Sequence, residues 1–172
     1  MIGGPLIDAG HDVVLLDAEA QRMSSPSVAA AIASVQPDIV MVGHAGSTPA
    51  HPACLETMRI AKSVAPRVVT VYGGVYPTYH AKDILLDHPD VDIVVRGEGE
   101  ASLLDLVQTL ARKGNLLPVD GIAFRQTGKV HLTKPRIPIA DLDRWRIGWE
   151  LIEDWDRYQC FGLGRAVVIQ FS

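Results

Sequence analysis

The sequence predicts an α/β protein built on a doubly wound parallel sheet with helices on both faces. Short apolar runs alternate four times with amphipathic or alanine-rich segments, and the connections between them are short. Residues 68–72 (VVTVY) are apolar and mostly β-branched, as expected for a strand that helices cover on both faces. Right-handed crossovers then place helices on each side of the sheet.

The first part of the chain predicts an opening helix, two strands and two further helices. Residues 1–9 resemble the last turns of a helix closed by Gly10, and residues 13–17 (VVLLD) follow as a strand. An α/β domain normally opens with a strand before such a helix, so we expect a first strand to be missing and the chain to be truncated at its start. Ser24 is an N-cap candidate for the next helix. The remaining elements of this part are a helix at 28–35, a strand at 39–42 and a helix at 52–64.

The second part continues the alternation and then changes character. After the central strand we expect a helix around 83–86, a strand at 91–95 and an amphipathic helix at 103–112 ended by Gly114. Residues 122–125 and 129–132, joined through Thr127-Gly128, predict a β-hairpin. An extended stretch and an aromatic cluster follow, and residues 166–171 predict a strand without partners, so we expect truncation at this end as well. The aromatic cluster, which we expect to pack against a neighbouring domain, comprises Trp145, Trp149, Trp155 and Tyr158.

Composition excludes several classes of function. The chain of 172 residues has a net charge of -4, and its basic residues are scattered, so we expect neither a nucleic acid nor an anionic membrane as partner. No apolar run approaches the roughly 18 residues of a membrane span, and no secretory signal is present, which favours the cytoplasm. Cys54 and Cys160 belong to no CxxC-type pair, so neither a disulfide framework nor a protein metal site is indicated.

Three turns follow predicted strands and precede predicted helices, so they should meet at the carboxyl edge of the sheet, where ligands bind in open α/β folds. Glycines in these turns would let a flat ligand lie against the main chain. Each turn also has a plainer interpretation: Gly73-Gly74 as a tight turn, and residues 96–100 as a charged helix start. The candidate binding residues are Gly43, His44, Ala45, Gly46, Ser47 and Thr48; Tyr72, Gly73, Gly74, Val75, Tyr76, Pro77 and Thr78; and Arg96, Gly97, Glu98, Gly99 and Glu100.

Other chemistries lack their signatures. No GxGxxG follows a strand and no GxxxxGK[ST] is present, so the usual dinucleotide and nucleoside triphosphate motifs are missing. Ser47 and Thr48 have no histidine base at a recognisable spacing, so we predict no catalytic residue. His80 and His88 could share a helix face, but no third ligand completes a metal site.

The combination GGxxPT followed by VDxVVRGEGE resembles the cobalamin-binding domain of cobalamin-dependent radical SAM enzymes. The resemblance extends through residues 120–125 and 138–143, which match that family's linker, and covers nearly the whole chain. Within the family, the sequence is most similar to the anaerobic magnesium-protoporphyrin monomethyl ester oxidative cyclase type.

This resemblance implies a cofactor, a site and a larger parent enzyme. The corrin ring of cobalamin would lie over the carboxyl edge, with its nucleotide tail descending between strands. Residues 43–48 would border tail and ring, Gly73-Gly74 would permit close approach of the tail, and residues 75–78 and 97–100 would contact the corrin edge. The lower-ligand DxHxxG motif is not matched, so we expect no protein histidine on cobalt. The family's iron–sulfur cysteines should follow Ser172, so S-adenosylmethionine, a 4Fe-4S cluster and catalysis would belong to the parent.

The sequence therefore predicts a cobalamin-binding, Rossmann- or flavodoxin-like domain at 1–114, a hairpin and linker at 115–160, and the start of a radical SAM barrel at 161–172. The parent would be a metal-binding oxidoreductase of tetrapyrrole biosynthesis acting on a hydrophobic small molecule. Three alternatives stay open: a cobalamin-dependent radical SAM methyltransferase, a flavodoxin-like or receiver-like regulatory module without cofactor, and a non-catalytic corrinoid carrier. Unpaired sheet edges also predict a possible homodimer.

Overall fold

The computed structural model describes residues 2–44 and 48–158, which form one sheet with helices on both faces. Five strands lie in the spatial order β1-β2-β3-β4-β5, the same as their order in the chain. The strands are β1 (Ile39–His44), β2 (Val69–Gly74), β3 (Ile93–Val95), β4 (Ile122–Gln126) and β5 (Lys129–Leu132). The helices are α1 (Gly3–Asp8), α2 (Ser25–Val35), α3 (His51–Val64), α4 (Val75–Asp87) and α5 (Gly99–Ala111), with 3₁₀ turns at Thr48–Ala50, Leu142–Arg144, Trp149–Leu151 and Trp155–Arg157.

The first three strands run parallel, as the sequence predicts. Consecutive residues of β2 enter opposite cores: Val71 packs with α1 and α5, whereas Tyr72 packs with α3 and α4. This alternation explains the continuous apolar run, because both faces of β2 are covered by helices. Helix α2 packs on α3 and closes a third cluster around Val28 and Ile60. The doubly wound α/β fold predicted from the sequence is confirmed.

The predicted hairpin forms and extends the same sheet. Strand β4 pairs antiparallel with β3, with Val94 opposite Ala123, and β5 pairs antiparallel with β4. Thr127 and Gly128 both have positive φ, at 49° and 75°, as a two-residue type I′ hairpin turn requires. The hairpin therefore covers the edge that β3 would otherwise expose.

Local signals account for where the helices begin. The Ser24 hydroxyl accepts a hydrogen bond from the Ser27 amide at 3.4 Å and caps α2, as predicted. Helix α3 has a proline in its first turn, where no amide partner is needed. Helix α4 is the exception, because it begins directly at Val75 and bends at His80, whose φ and ψ are −113° and 19°.

One predicted strand does not form. Residues 13–17 have no regular secondary structure and pair with no described strand, and Val14 and Leu15 are 58% and 45% exposed. A strand exists only through hydrogen bonds to a neighbour, and apolar composition alone cannot supply one. The strand predicted at 166–171 lies outside the described residues. Among the described helices, none combines the length and apolarity needed to cross a membrane.

Candidate functional site

The carboxyl ends of β1, β2 and β3 meet at one edge of the sheet, where α3, α4 and α5 begin. The register pairs Gly43 with Gly73 and His44 with Gly74, so glycines of two neighbouring strands lie side by side near the strand ends. Strand β3 ends beside them at Val95 and leads into the turn at residues 96–98. We call this region the crevice.

Small residues leave the floor of the crevice open. Among the residues that the structure describes, a β-carbon built on Gly73 would meet nothing closer than 3.9 Å, and one on Gly43 nothing closer than 3.6 Å. These are ordinary van der Waals distances, so the chain's own packing does not require glycine at either position. The described residues therefore leave room for a β-carbon at each of the paired glycines.

Two other glycines in the crevice are required by the backbone. Gly74 precedes α4 with φ 117° and ψ −174°, and Gly97 has φ 74°. L-residues rarely adopt such angles, so a side chain at either position would strain the turn. Because Gly74 alone makes the turn, Val75 to Thr78 form the first helical turn of α4, which corrects the expectation that they belong to a loop.

Thr78 joins two of the three turns. Its hydroxyl donates to the Gly74 carbonyl at 2.7 Å and accepts from the Gly97 amide at 3.0 Å. One side chain on α4 therefore fixes the turn after β3 against the turn after β2. The sequence placed Thr78 in the site but gave no indication of this bridging contact.

The charged residues of the turn after β3 face the hairpin and the segment beyond it, residues 133–158, which we call the linker. The Arg96 guanidinium donates to the carbonyls of Thr133 at 2.5 Å and Ile122 at 3.4 Å, and burial lowers the pKa of Arg96. The Glu98 carboxylate accepts a hydrogen bond from the Ile139 amide. Glu100 lies in the first turn of α5 and is 8% exposed.

A ring cluster supports the crevice from the α3 and α4 side. The Tyr72 hydroxyl lies 3.0 Å from His51 Nδ1, and His51 packs against Tyr76 with ring centroids 4.5 Å apart. Tyr72 is fully buried, and burial raises the pKa of its phenol above the usual range. This contact ties His51, the first residue of α3, to the carboxyl-terminal half of β2. His51 is not among the site residues predicted from the sequence.

The predicted site residues fall into distinct environments. Gly43, Val75 and Gly97 are exposed at the crevice, whereas the side chains of Tyr72 and Pro77 are buried beneath it. Ala45, Gly46 and Ser47 lie outside the described residues, and for His44 and Thr48 only the backbone is described. Tyr79, which the sequence did not single out, is 81% exposed next to Thr78. Across residues 2–44 and 48–158, no three histidine, cysteine or acidic side chains group closely enough to hold a metal ion.

The model of the B12 binding domain family matches residues 1–107, the part of the chain that contains the crevice. The chain belongs to this family. The cobalamin-binding domain predicted from the sequence is thereby confirmed, and the regulatory module without a cofactor is not supported.

Curated relatives place this B12-binding domain beside a particular enzyme type. It is 46% identical over 171 residues to the anaerobic magnesium-protoporphyrin IX monomethyl ester cyclase of Synechocystis sp. The aligned region covers 99% of this chain and 34% of the relative. The cyclase of Rubrivivax gelatinosus is 37% identical, covering 98% and 31%. The predicted resemblance to the cyclase type is confirmed, and the chain spans about a third of the length of these relatives.

Solved structures share the fold of this B12-binding domain at low identity. The radical S-adenosylmethionine methyltransferase TsrM from Kitasatospora setae, solved with cobalamin and a [4Fe-4S] cluster, superposes with a TM-score of 0.69 at 16% identity, covering 84% of this chain and 27% of that one. The cobalamin-dependent radical enzyme OxsB superposes with a TM-score of 0.57 at 20% identity, covering 72% and 17%.

Proposed function

We propose that the chain binds cobalamin at the crevice, with the cofactor against the backbone of Gly43, Gly73 and Gly97. The observation that carries this proposal is the free space at the paired glycines. At Gly43 and Gly73 a β-carbon would fit the chain itself, so glycine there is accounted for by a ligand that approaches the main chain. The further residues proposed to border the cofactor are His44, Ala45, Gly46, Ser47, Thr48, Tyr72, Gly74, Val75, Tyr76, Pro77, Thr78, Arg96, Glu98, Gly99 and Glu100.

The shape and polarity of the crevice fit a large flat ring. Main-chain groups at the strand ends and helix starts offer hydrogen bonds to peripheral amides, and exposed Val75 and Tyr79 offer apolar contact at the rim. Arg96 is the one lysine or arginine among the predicted site residues, and it donates to the Ile122 and Thr133 carbonyls. The site therefore lacks the group of cations that would instead favour a phosphate-rich ligand. The chain's own part is thus to bind and orient the cofactor.

We further propose that the chain is the cobalamin-binding part of a longer enzyme of the oxidative cyclase type in tetrapyrrole biosynthesis. Support comes from the identity of 46% with the Synechocystis cyclase over nearly the whole chain. In the proposed longer enzyme, cobalamin would supply radical or methyl-transfer chemistry, while S-adenosylmethionine and an iron–sulfur cluster would belong to the rest of the polypeptide. The substrate class is a hydrophobic small molecule resembling a porphyrin.

A methyltransferase is the second candidate. An uncharacterised methyltransferase of Pyrococcus horikoshii is 31% identical over 159 residues, and the hopanoid C-3 methylase of Methylococcus capsulatus is 35% identical over 126 residues. Assaying the full-length protein with a magnesium-porphyrin ester separates the two activities, because ring closure leaves the carbon count of the substrate unchanged and methyl transfer adds one carbon.

The assembly we propose is a homodimer in the cytoplasm. Strand β1 is at the edge of the described sheet, and its six residues offer unpaired main-chain groups on the outer side. Pairing of two such edges would extend the sheet across a two-fold axis. Sedimentation equilibrium tests this assembly, and a single monomeric species at every concentration would refute it.

Titration of the purified chain with hydroxocobalamin tests the cofactor proposal. The visible spectrum after gel filtration reports retained corrinoid, and circular dichroism reports the fold. We expect one corrinoid per chain, and we expect Gly73→Val to weaken binding by about tenfold or more because its side chain occupies the ligand's space. The unfolding free energy of Gly73→Val should be unchanged or higher, since a β-branched residue suits a strand.

Gly114→Ala provides a matched glycine control. Gly114 follows α5 at the opposite edge of the sheet, and a β-carbon there meets Thr109 at 3.2 Å. Its affinity for hydroxocobalamin should equal that of the wild type even if its stability falls slightly. A folded chain that retains no corrinoid would overturn the cofactor proposal. Undiminished binding by Gly73→Val would refute the placement of the ligand against Gly73.

A further inference from the structure

The turn after β3 is hydrogen-bonded on two opposite sides. On the crevice side, the Gly97 amide donates to the Thr78 hydroxyl at 3.0 Å. On the other side, the Arg96 guanidinium donates to the Thr133 carbonyl and the Glu98 carboxylate accepts from the Ile139 amide. Three consecutive residues therefore link α4 to the linker.

The linker contacts at this turn differ from its other attachments. The linker is also held by ion pairs to helices: Arg136, between Thr133 and Ile139, pairs with Asp105 on α5, and Arg146 pairs with Asp8 of α1 at 2.7 Å. Those partners lie on helix surfaces outside the crevice. Arg96 and Glu98 instead hold the linker from within the turn that borders the proposed ligand.

The turn has little freedom to move independently of these contacts. Gly97 has φ 74° and is exposed, with no side chain to pack it, so its position is set by the hydrogen bonds of the turn itself. A change that releases the turn on one side should loosen its hold on the other. No hydrogen bond of the described residues joins Thr78 to Ile139, so this pair tests whether the effect passes through the turn.

We propose that this turn couples the crevice to the linker, with Thr78 and Glu98 as its positioning residues, so that a ligand in the crevice and the linker stabilise each other. The coupling between turn and linker is a property of the chain itself. Only the ligand's part rests on the proposed cobalamin function. Coupling free energies are reciprocal: if the bound ligand stabilises the linker contact, the linker contact raises the affinity for the ligand by the same free energy.

Hydrogen exchange at the Ile139 amide, followed by NMR in the ligand-free chain, tests the coupling directly. We expect Thr78→Val, which keeps the shape of the side chain but removes the hydroxyl, to accelerate this exchange by about threefold to tenfold. Thr78→Ser restores the hydroxyl and should return exchange to the wild-type rate. Glu98→Ala removes the acceptor itself and gives the upper limit of acceleration.

Asp105→Ala serves as the control, because it releases the linker at α5 without touching the turn. It should leave exchange at the Gly97 amide unchanged, whereas Glu98→Ala should accelerate it. Circular dichroism and urea unfolding confirm that each variant is folded. An Ile139 rate that is the same in wild type and Thr78→Val would overturn the coupling.

A second measurement adds hydroxocobalamin. In the wild type we expect the corrinoid to slow exchange at the Ile139 amide. We expect Glu98→Ala to raise the dissociation constant for the corrinoid by the same factor by which the corrinoid slows this exchange. Bound corrinoid with no change at Ile139 would refute the ligand's part. If the wild type bound no corrinoid while Ile139 still responded to Thr78→Val, the cofactor proposal would fail and the coupling would stand.

Discussion

Asp92 joins three elements at the amino edge of the sheet, opposite the crevice. Its Oδ2 accepts from Lys62 Nζ at 2.5 Å, from the Thr70 amide at 2.8 Å and from the Thr70 hydroxyl at 3.1 Å. Thr70 is fully buried on β2, and Lys62 reaches the carboxylate from α3. Replacing Asp92 by alanine therefore removes the acceptor for a buried amide as well as an ion pair.

The cost of Asp92→Ala follows from these contacts. Leaving the buried Thr70 amide without a hydrogen-bond acceptor costs about 1–3 kcal/mol. The ion pair adds about 1 kcal/mol or less, because the two side chains are 20% and 33% exposed and solvent screens them. We expect the free energy of unfolding to fall by about 1–4 kcal/mol, which for a domain of this size lowers Tm by roughly 2–16 °C. Asp92→Asn keeps an acceptor oxygen and should lose about 1 kcal/mol.

Urea unfolding followed by circular dichroism measures these differences. Glu56→Ala is the control, because it breaks the exposed ion pair to Arg59 on the surface of α3 and should produce no resolvable change. Hydroxocobalamin affinity should be the same in all three variants, since the perturbed residues lie at the edge away from the crevice. If Asp92→Ala were no less stable than Glu56→Ala, the assignment of this network as a structural anchor would be refuted.

Three further outcomes are expected. Arg125 donates to four carbonyls where α4 ends, including those of Leu85 and Val91. Arg125→Met should therefore lower the free energy of unfolding in urea by about 2–3 kcal/mol. An unchanged midpoint of the urea transition would contradict this expectation. The hydrogen bond from Tyr158 to the Asp17 carboxylate raises the pKa of the Tyr158 phenol to about 12. The stability that this bond contributes is therefore complete below about pH 10 and is lost as pH rises toward about 12. Tyr158→Phe should lose less stability than the wild type over that interval, and identical pH profiles of the two proteins would refute the assignment. A β-carbon at Gly4 would overlap the Arg146 carbonyl, so Gly4→Ala should release this part of the linker and increase its proteolysis, which limited trypsin digestion measures; an unchanged digestion pattern would argue against close contact in solution.

The sequence predicted the elements whose signals are local. Ser24 marked the start of α2, Thr127-Gly128 marked the hairpin turn, and the apolar run of β2 marked a strand covered on both faces. The place of the crevice followed from the same reasoning, because parallel strands end at a common edge. The glycines of these turns could therefore be predicted as candidates before their geometry was known.

The contacts that organise the crevice could not be predicted, because they join residues distant in sequence. Thr78 and Gly97 are 19 positions apart, His51 and Tyr72 are 21 apart, and Glu98 and Ile139 are 41 apart. No local pattern specifies which of many polar side chains will meet across a fold. The error at residues 13–17 has a related cause, since apolar composition indicates a tendency to form a strand but not the presence of a partner.

The order of the strands has a consequence for how the chain is made. Each of the five described strands lies beside the one that precedes it in the chain, so no strand must wait for a partner synthesised later. During translation the sheet can grow one strand at a time, from β1 toward the hairpin, while each connecting helix packs on strands already in place. Such a route keeps loop closures short and limits the time that the edge of β3 is exposed before the hairpin covers it.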